Sequence, residues 1–441
     1  MKIQHPPKIV IALSMVLTVM VSVSSAQNAM PPIKTDRKIL DSFMDKRFGM
    51  FIHWGPVSLR GTEIGWSRGN QVAVEDYDNL YKEFDPVLFN ADAWVKVAKS
   101  AGIKYITITA KHHDGFCLWP TAFSSYNIMN SPFKRDIVGE LATACKKQGI
   151  AFCIYFTVLD WHDVNYPLHN IHGDTTIDPK ANIKVLVTTI KNELQELITH
   201  YHPYMLWFDG NWESPWTRAY GEEVYQHIKK LDPRVIVNNR LGKGEHSVLG
   251  TETVGDYATP EQEIGKLNMT DPWESCITIC NQWAWKPNDS MKSKKECIQT
   301  LVQTAGGNGN LLLNVGPMLD GRIERRQAER LAEMGSWLQA NGVSIYNTKG
   351  GPYKPNNFFA TTRRGNIIYL EVFTSVNNQL TLPVLKDAQI KKAYFLKGQP
   401  VAFNQDEKNI HFTLPAMMPD KDCSVIVLEL NKNAETLPLI E

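Results

Sequence analysis

Asp209 closes an apolar, aromatic run, Leu206-Trp207-Phe208, and Gly210 follows it, so a carboxylate stands where a buried strand would end and the chain would turn away. Other apolar runs end in polar residues in the same way. They are His53-Trp54, His112-His113, Asp160-Trp161, Asn239-Arg240 and, beyond a weaker run, Glu261 or Glu263. Two carboxylates about 5 to 5.5 Å apart, one a nucleophile and the other an acid and then a base, cleave a glycosidic bond with retention. Asp209 has Glu261, Glu263 and Glu274 as candidate partners, and imidazoles that donate or accept suit sugar hydroxyls.

The elements that must position these groups are short apolar runs alternating with amphipathic stretches. Residues 47–54, 104–110, 151–158, 204–208, 234–238, 275–280 and 310–315 read as buried strands, with a weaker one at 254–257. Helix signals occupy 91–101, 137–148, 182–200, 220–231, 295–305 and 324–341; in one of them Ile183, Leu186, Ile190, Leu194 and Leu197 make a single stripe. About eight βα units and no glycine-rich first turn predict an α/β fold, a distorted (β/α)8 barrel of the TIM type, with active-site residues at the C-terminal strand ends. The distortion is expected between Asn238 and Glu274, where no helix signal appears. After Gly350-Gly351-Pro352 the pattern changes to short alternating segments, a C-terminal β-sandwich.

The chain has 441 residues, 43% hydrophobic and 21% charged, enough for at least one large core. Lys plus Arg number 47 against 46 for Asp plus Glu, so no net field would hold a polyanion, and nucleic acid is excluded as a partner. Lys2 and Lys8 precede an uncharged run, residues 9–23, and Ser24-Ser25-Ala26 offers small residues for cleavage. This predicts a signal peptide over 1–26, a barrel over 27–348 and a sandwich over 349–441. The run is shorter than the roughly 20 residues of a spanning helix, so no stable membrane anchor is expected. The protein is expected to be exported, to the periplasm or beyond. Seven cysteines, an odd number, form no disulfide framework, and Cys276 and Cys280 lack partners at zinc spacing, so no metal is expected. No calcium loop, P-loop or dinucleotide fingerprint is present, and no cofactor is expected.

Four motifs occur in order: Phe48-Gly49-Met50-Phe51-Ile52-His53-Trp54-Gly55, Lys111-His112-His113-Asp114-Gly115-Phe116 with Trp119-Pro120 behind it, Trp207-Phe208-Asp209-Gly210, and Asn308-Gly309-Asn310-Leu311-Leu312-Leu313-Asn314-Val315-Gly316-Pro317. Together, over roughly residues 43–346, they resemble the α-L-fucosidases of glycoside hydrolase family 29. The resemblance implies a (β/α)8-like domain, a C-terminal β-sandwich and retaining hydrolysis of terminal α-L-fucose from fucosylated oligosaccharides or glycoconjugates. Asp209 matches the nucleophile, and Glu261 aligns best with the acid/base, with Glu263 and Glu274 left open. The implied substrate-binding set is His53, His112, His113, Trp54, Glu63, Trp66, Tyr155, Trp207 and Arg240, although Glu63 and Trp66 stand three apart where the family more often has neighbours. Fucose carries a methyl group, for which Phe51, Trp54 and Trp207 are candidate walls. A fucose-binding protein without turnover is the alternative reading, and the oligomeric state stays open.

Overall fold

The computed structural model describes residues 1, 33–168 and 176–440. The expected signal peptide therefore lies outside the described residues, Met1 apart. Ile33–Glu441 forms one compact unit. Among the described residues no helix is long and apolar enough to cross a membrane.

Seven parallel strands, β1 (Phe48–Ile52), β2 (Tyr105–Lys111), β3 (Ala151–Thr157), β4 (Met205–Asp209), β5 (Ile236–Val237), β6 (Glu274–Thr278) and β7 (Asn310–Val315), make one curled sheet in the order β5-β4-β3-β2-β1-β7-β6. Helices α1 (Arg37–Met44), α2 (Val74–Asn79), α3 (Ala91–Ser100), α4 (Ile137–Gln148), α5 (Ile183–Tyr201), α6 (Arg218–Leu231), α7 (Lys294–Gly306) and α8 (Arg325–Asn341) accompany it. The helix ends follow local chemistry. Asp136 caps α4 by accepting from the Gly139 N–H, and Ser293 and Glu296 cap α7 reciprocally.

Between β5 and β6 no strand or helix forms among residues 238–273, the distortion expected there. The weak run at 254–257 is not a strand. Isolated parallel bridges, Asn238 to Tyr257, Ala258 to Trp273 and Glu261 to Cys276, carry the chain across this gap.

Both faces of every barrel strand are buried, and the strand period of two divides them. Met50, Ile52, Ile106, Ile108, Ile154, Phe156, Leu206 and Phe208 face the helices in the main core. Phe51, Tyr105, Cys153, Tyr155, Met205, Trp207, Cys276 and Leu312 fill the barrel interior. Phe43 of α1 joins this interior, its ring 5.6 Å from Tyr105 and 5.0 Å from Tyr257. Tyr105 lies against Gly49 so closely that a Cβ there would fall 2.3 Å from its ring.

The C-terminal strands are β8 (Lys349–Gly350), β9 (Phe359–Arg364), β10 (Ile367–Val372), β11 (Gln379–Pro383), β12 (Ile390–Phe395), β13 (Ala402–Gln405), β14 (Asn409–Thr413) and β15 (Ser424–Leu430). They form antiparallel sheets ordered β12-β15-β10-β9-β8 and β11-β14-β13. Ile368, Leu370, Ile426 and Leu428 of the larger sheet share a core with Leu380, Leu382, Ile410 and Phe412 of the smaller. The opposite parity, Tyr369, Val425 and Val427, joins the core on the barrel's helical side, and Trp337 of α8 donates to the Cys423 carbonyl at 3.0 Å.

Candidate active site

A cavity of about 290 Å³ opens at the C-terminal end of the strands, lined among others by Phe51, His53, His112, Tyr155, Trp207, Asp209, Arg240, Glu261 and Trp283. Asp209 ends β4 with its side chain directed inward, and Gly210, at φ +93°, turns the chain away beneath Leu159, where a Cβ would come within 2.4 Å of the leucine side chain.

Arg240 organises the carboxylates. Its Nη1 donates to Asp209 Oδ1 and to Glu261 Oε2, 2.8 Å from each, so the two oxygens lie within two hydrogen-bond lengths of one another. Thr259 holds the rest of the guanidinium, its hydroxyl accepting from Nε at 2.9 Å and its carbonyl from Nη2 at 3.0 Å, while the cation lies 4.6 Å above the Trp207 ring. Burial opposes the charge of Arg240, but Asp209 and Glu261 more than restore it. Burial would likewise raise Asp209; Arg240 and His113 overcome it and hold the carboxyl below its usual range. Tyr155 donates to Asp209 Oδ2 at 3.1 Å.

The three histidines are neutral. Burial lowers His53 to about 3, His113 to about 4 and His112 well below the ordinary value. The Nδ2 of Asn314 donates to the Trp283 carbonyl, so its Oδ1 accepts from His53 Nδ1 at 2.7 Å, leaving His53 Nε2 as an acceptor. The Asp209 carboxylate can only accept, so His113 turns its Nε2–H toward Oδ2 at 3.5 Å and its Nδ1 accepts from the Thr157 hydroxyl at 2.7 Å, whose oxygen also accepts from the Leu159 N–H. His112 stacks on Tyr155 at 5.3 Å, and its Nδ1 has no hydrogen-bond partner among the described residues. An ionised carboxylate, a second one joined to it through a single nitrogen and neutral imidazoles with an open acceptor can hold a polyol and attack an electrophilic carbon from one side.

Some expected residues are placed elsewhere. Trp54 does not reach the cavity: just past the end of β1, with His53 inward, Trp54 packs outward on Phe84, Phe89 and Trp94, its indole donating to the Met318 carbonyl at 3.1 Å. Trp283, 4.8 Å from the His53 ring, takes the place expected of Trp54 in the apolar wall. Glu63 turns away to accept the backbone N–H groups of Trp283 at 2.8 Å and Ala284 at 2.9 Å, so it holds the loop that carries Trp283. Glu263 is exposed and accepts from Ser247 at 2.6 Å. Glu274 lies fully buried inside the barrel, accepting from Trp207 Nε1 at 3.1 Å and from the hydroxyls of Tyr105 and Tyr257. Asp160 pairs with Lys111 at 3.2 Å, and Asn239 binds the carbonyls of the following loop. Trp66 stands at the mouth, 40% exposed.

Trp212, His246 and Trp283 line the cavity without having been anticipated. Trp212 and Trp283 sit on loops shortly beyond β4 and β6, where an apolar residue past a strand end carries no signal in the sequence. All seven cysteines are buried and unpaired.

The sequence model described as Alpha-L-fucosidase matches residues 17–343. The chain belongs to the α-L-fucosidase family, glycoside hydrolase family 29. Among relatives, the α-L-fucosidase of Branchiostoma floridae is 31% identical over 79% of this chain and 80% of that protein, and the plasma α-L-fucosidase of Homo sapiens 33% identical over 71% and 70%. Among solved structures, α-L-fucosidase isoenzyme 1 of Paenibacillus thiaminolyticus superposes with a TM-score of 0.82 at 31% identity, covering 90% of this chain and 99% of that one. A family 29 α-L-fucosidase of Bacteroides thetaiotaomicron, described as a trapped covalent intermediate with 2-fluoro-fucosyl fluoride, matches with a TM-score of 0.82 at 27% identity, over 91% and 98%. This fucosidase is thus a glycoside hydrolase on a TIM-like barrel with C-terminal antiparallel sheets.

Proposed function

We propose that this fucosidase removes terminal α-L-fucosyl residues from fucosylated oligosaccharides or glycoconjugates by double displacement, with Asp209 as nucleophile and Glu261 as acid/base. The observation that carries the reading is the single Arg240 nitrogen shared by both carboxylates. Two oxygens on one nitrogen suit the close pair, about 5 to 5.5 Å apart, that retention needs, better than the gap of about 6.5 to 9.5 Å of an inverting pair. Asp209 attacks the anomeric carbon while Glu261 gives its proton to the departing oxygen; Glu261 then takes a proton from the water that frees the sugar. His53, His112 and His113 hold the hydroxyls, and Phe51, Trp207 and Trp283 face the C5 methyl. The trapped covalent intermediate of the Bacteroides relative supports the same course here. Export remains part of the proposal and rests on Lys2, Lys8 and the uncharged run that follows.

The test has two parts. With 4-nitrophenyl α-L-fucoside, proton NMR should show α-L-fucose as the first anomer released; the β anomer would refute double displacement. Incubation with 2-fluoro-fucosyl fluoride followed by peptide mass spectrometry should place the label on Asp209, and a label on another residue would remove it from the nucleophile's role.

A further inference from the structure

We propose that Lys111 is a positioning residue: anchored behind the barrel wall by Glu193 of α5 and by Asp160, it holds a bulge in β2 that turns His112 into the cavity. The proposal rests on the fucosidase reading of that cavity.

The bulge lies in the pairing of β2 with β3. Thr109 stands opposite Tyr155 and Lys111 opposite Phe156, so Ala110 is an extra residue. Ile106, Ile108 and Ala110 all face the helices. Strict alternation would then send Lys111 into the barrel and His112 out of it. The extra residue reverses this. Lys111 follows Ala110 to the helical side, its ammonium 4.8 Å from the centre of the Phe156 ring, and His112 faces inward, stacked on Tyr155 with the two rings 7° apart. His112 depends on the backbone more than the other two histidines do. Asn314 fixes the ring of His53 and Thr157 that of His113, whereas His112 Nδ1 has no hydrogen-bond partner among the described residues.

A cluster of charge holds the bulge from behind. Lys111 Nζ lies 2.7 Å from Glu193 Oε2 and 3.2 Å from Asp160 Oδ2, and the Lys111 and Glu193 side chains are each 1% exposed. Among the described residues Glu193 is the one charged side chain on the buried face of α5, which is otherwise leucine, isoleucine and valine. Burial works against the Lys111 charge, and Glu193 and Asp160 restore it. A buried ion pair adds little stability over well-packed apolar side chains, so its presence here is better explained by the geometry that it fixes. Asp160 carries the constraint to the far end of the histidine loop. Its Oδ1 accepts from the backbone N–H groups of His162 at 3.2 Å and Asp163 at 3.0 Å, and Gly115, at φ +78°, lies against it so closely that a Cβ would fall 2.3 Å from that oxygen. Trp161 then donates its backbone N–H to the His113 carbonyl at 3.0 Å. One cluster therefore clamps the loop from Lys111 to Gly115 at both ends.

The test is a double-mutant cycle against His112. Lys111→Met together with Glu193→Met removes the cation and its helix partner at once and strands neither charge, while Asp160 keeps its backbone donors. With 4-nitrophenyl α-L-fucoside this pair of substitutions should lower kcat/KM about 30-fold and raise the Ki of L-fucose about tenfold, the scale of one or two hydrogen bonds. In a His112→Ala background the same pair should change kcat/KM by less than about threefold, because the side chain through which it acts is gone. Losses of equal size in both backgrounds would show that the cluster serves the fold alone and would overturn the proposal, as would unchanged kinetics in a variant that melts cooperatively. Should the paired variant not fold, Glu193→Gln, which keeps Lys111 against Asp160, goes through the same cycle, with a loss of about fivefold expected when His112 is present and none when it is absent. A wild-type protein that binds L-fucose without hydrolysing the fucoside would overturn the fucosidase reading instead, and the cycle is then read on fucose affinity.

Discussion

The two halves of the barrel rim place their carboxylates by different means. On the β1 to β4 side, Asp209 is the last residue of a strand whose ladder runs Cys153–Met205, Tyr155–Trp207, Thr157–Asp209, so backbone pairing sets its position. On the side between β5 and β6, Glu261 has only an isolated bridge to Cys276 and the Arg240 guanidinium to set its own. In the proposed mechanism the rigid side carries the group that must form a bond at a defined distance. The looser side carries the group proposed only to pass a proton, and there polar side chains replace backbone pairing.

That contrast is sharpest in the largest predicted effect. Asp209→Ala should lower kcat by at least about 10⁴-fold, because no neighbour on a paired strand can substitute for it. Azide should restore part of the rate and yield the fucosyl azide of inverted configuration. Near-wild-type turnover would remove Asp209 from the mechanism. Glu261→Gln should cost about 10² to 10⁴-fold on sugar leaving groups and far less on 4-nitrophenol, which departs without a proton. Uniform losses across leaving groups would move the acid/base role elsewhere on the irregular side.

The same division governed what could be read from sequence. The seven strands were legible as β-branched and aromatic runs, and Asp209, His53, His112 and His113 followed from strand ends. Helix α1, eight residues long, was not anticipated, because its function, Phe43 filling the barrel floor, is visible only in three dimensions. Strands β9, β11, β13 and β14 are short and largely polar, so they resemble loops. Trp54 lies outside the cavity that its neighbour His53 lines, because beyond the end of β1 its ring packs on Phe84, Phe89 and Trp94, a tertiary contact that no local pattern shows. Trp212, His246 and Trp283 lie on aperiodic loops, where neither period distinguishes a site residue from a solvated one.

Arg240 couples the two halves, and its loss should be the next largest effect. Arg240→Met removes the donor shared by both carboxylates and should cost about 10² to 10³-fold in kcat/KM. Burial would then act on Asp209 without the Arg240 charge and hydrogen bond to oppose it, so its pKa rises. The nucleophile works ionised, and activity falls as pH drops through that pKa. The acidic limb of kcat/KM against pH should therefore move to higher pH in the methionine variant and stay near its original position in Arg240→Lys. A limb that does not move would show that Arg240 serves geometry alone.

The smallest effect on turnover is expected at Glu274, the carboxyl most easily mistaken for Glu261. It touches no part of the cavity, so Glu274→Gln should change kcat by less than about tenfold while the donors from Trp207, Tyr105 and Tyr257 re-pair. Its signature belongs to stability. Burial, partly offset by those three donors, pushes it from 4.5 up to about 7. The folded state then holds the proton more tightly than the unfolded chain does. Its contribution is full below about pH 4.5 and is lost as pH rises through about 7, at most about 3 kcal/mol. Denaturant unfolding at pH 5 and pH 8 should show the wild type losing more stability between the two than Glu274→Gln. Asp114 and Glu193, also raised by burial, are common to both proteins and cancel in the difference. Equal losses would mean that Glu274 does not titrate in this range and that the barrel floor holds it in one charge state throughout.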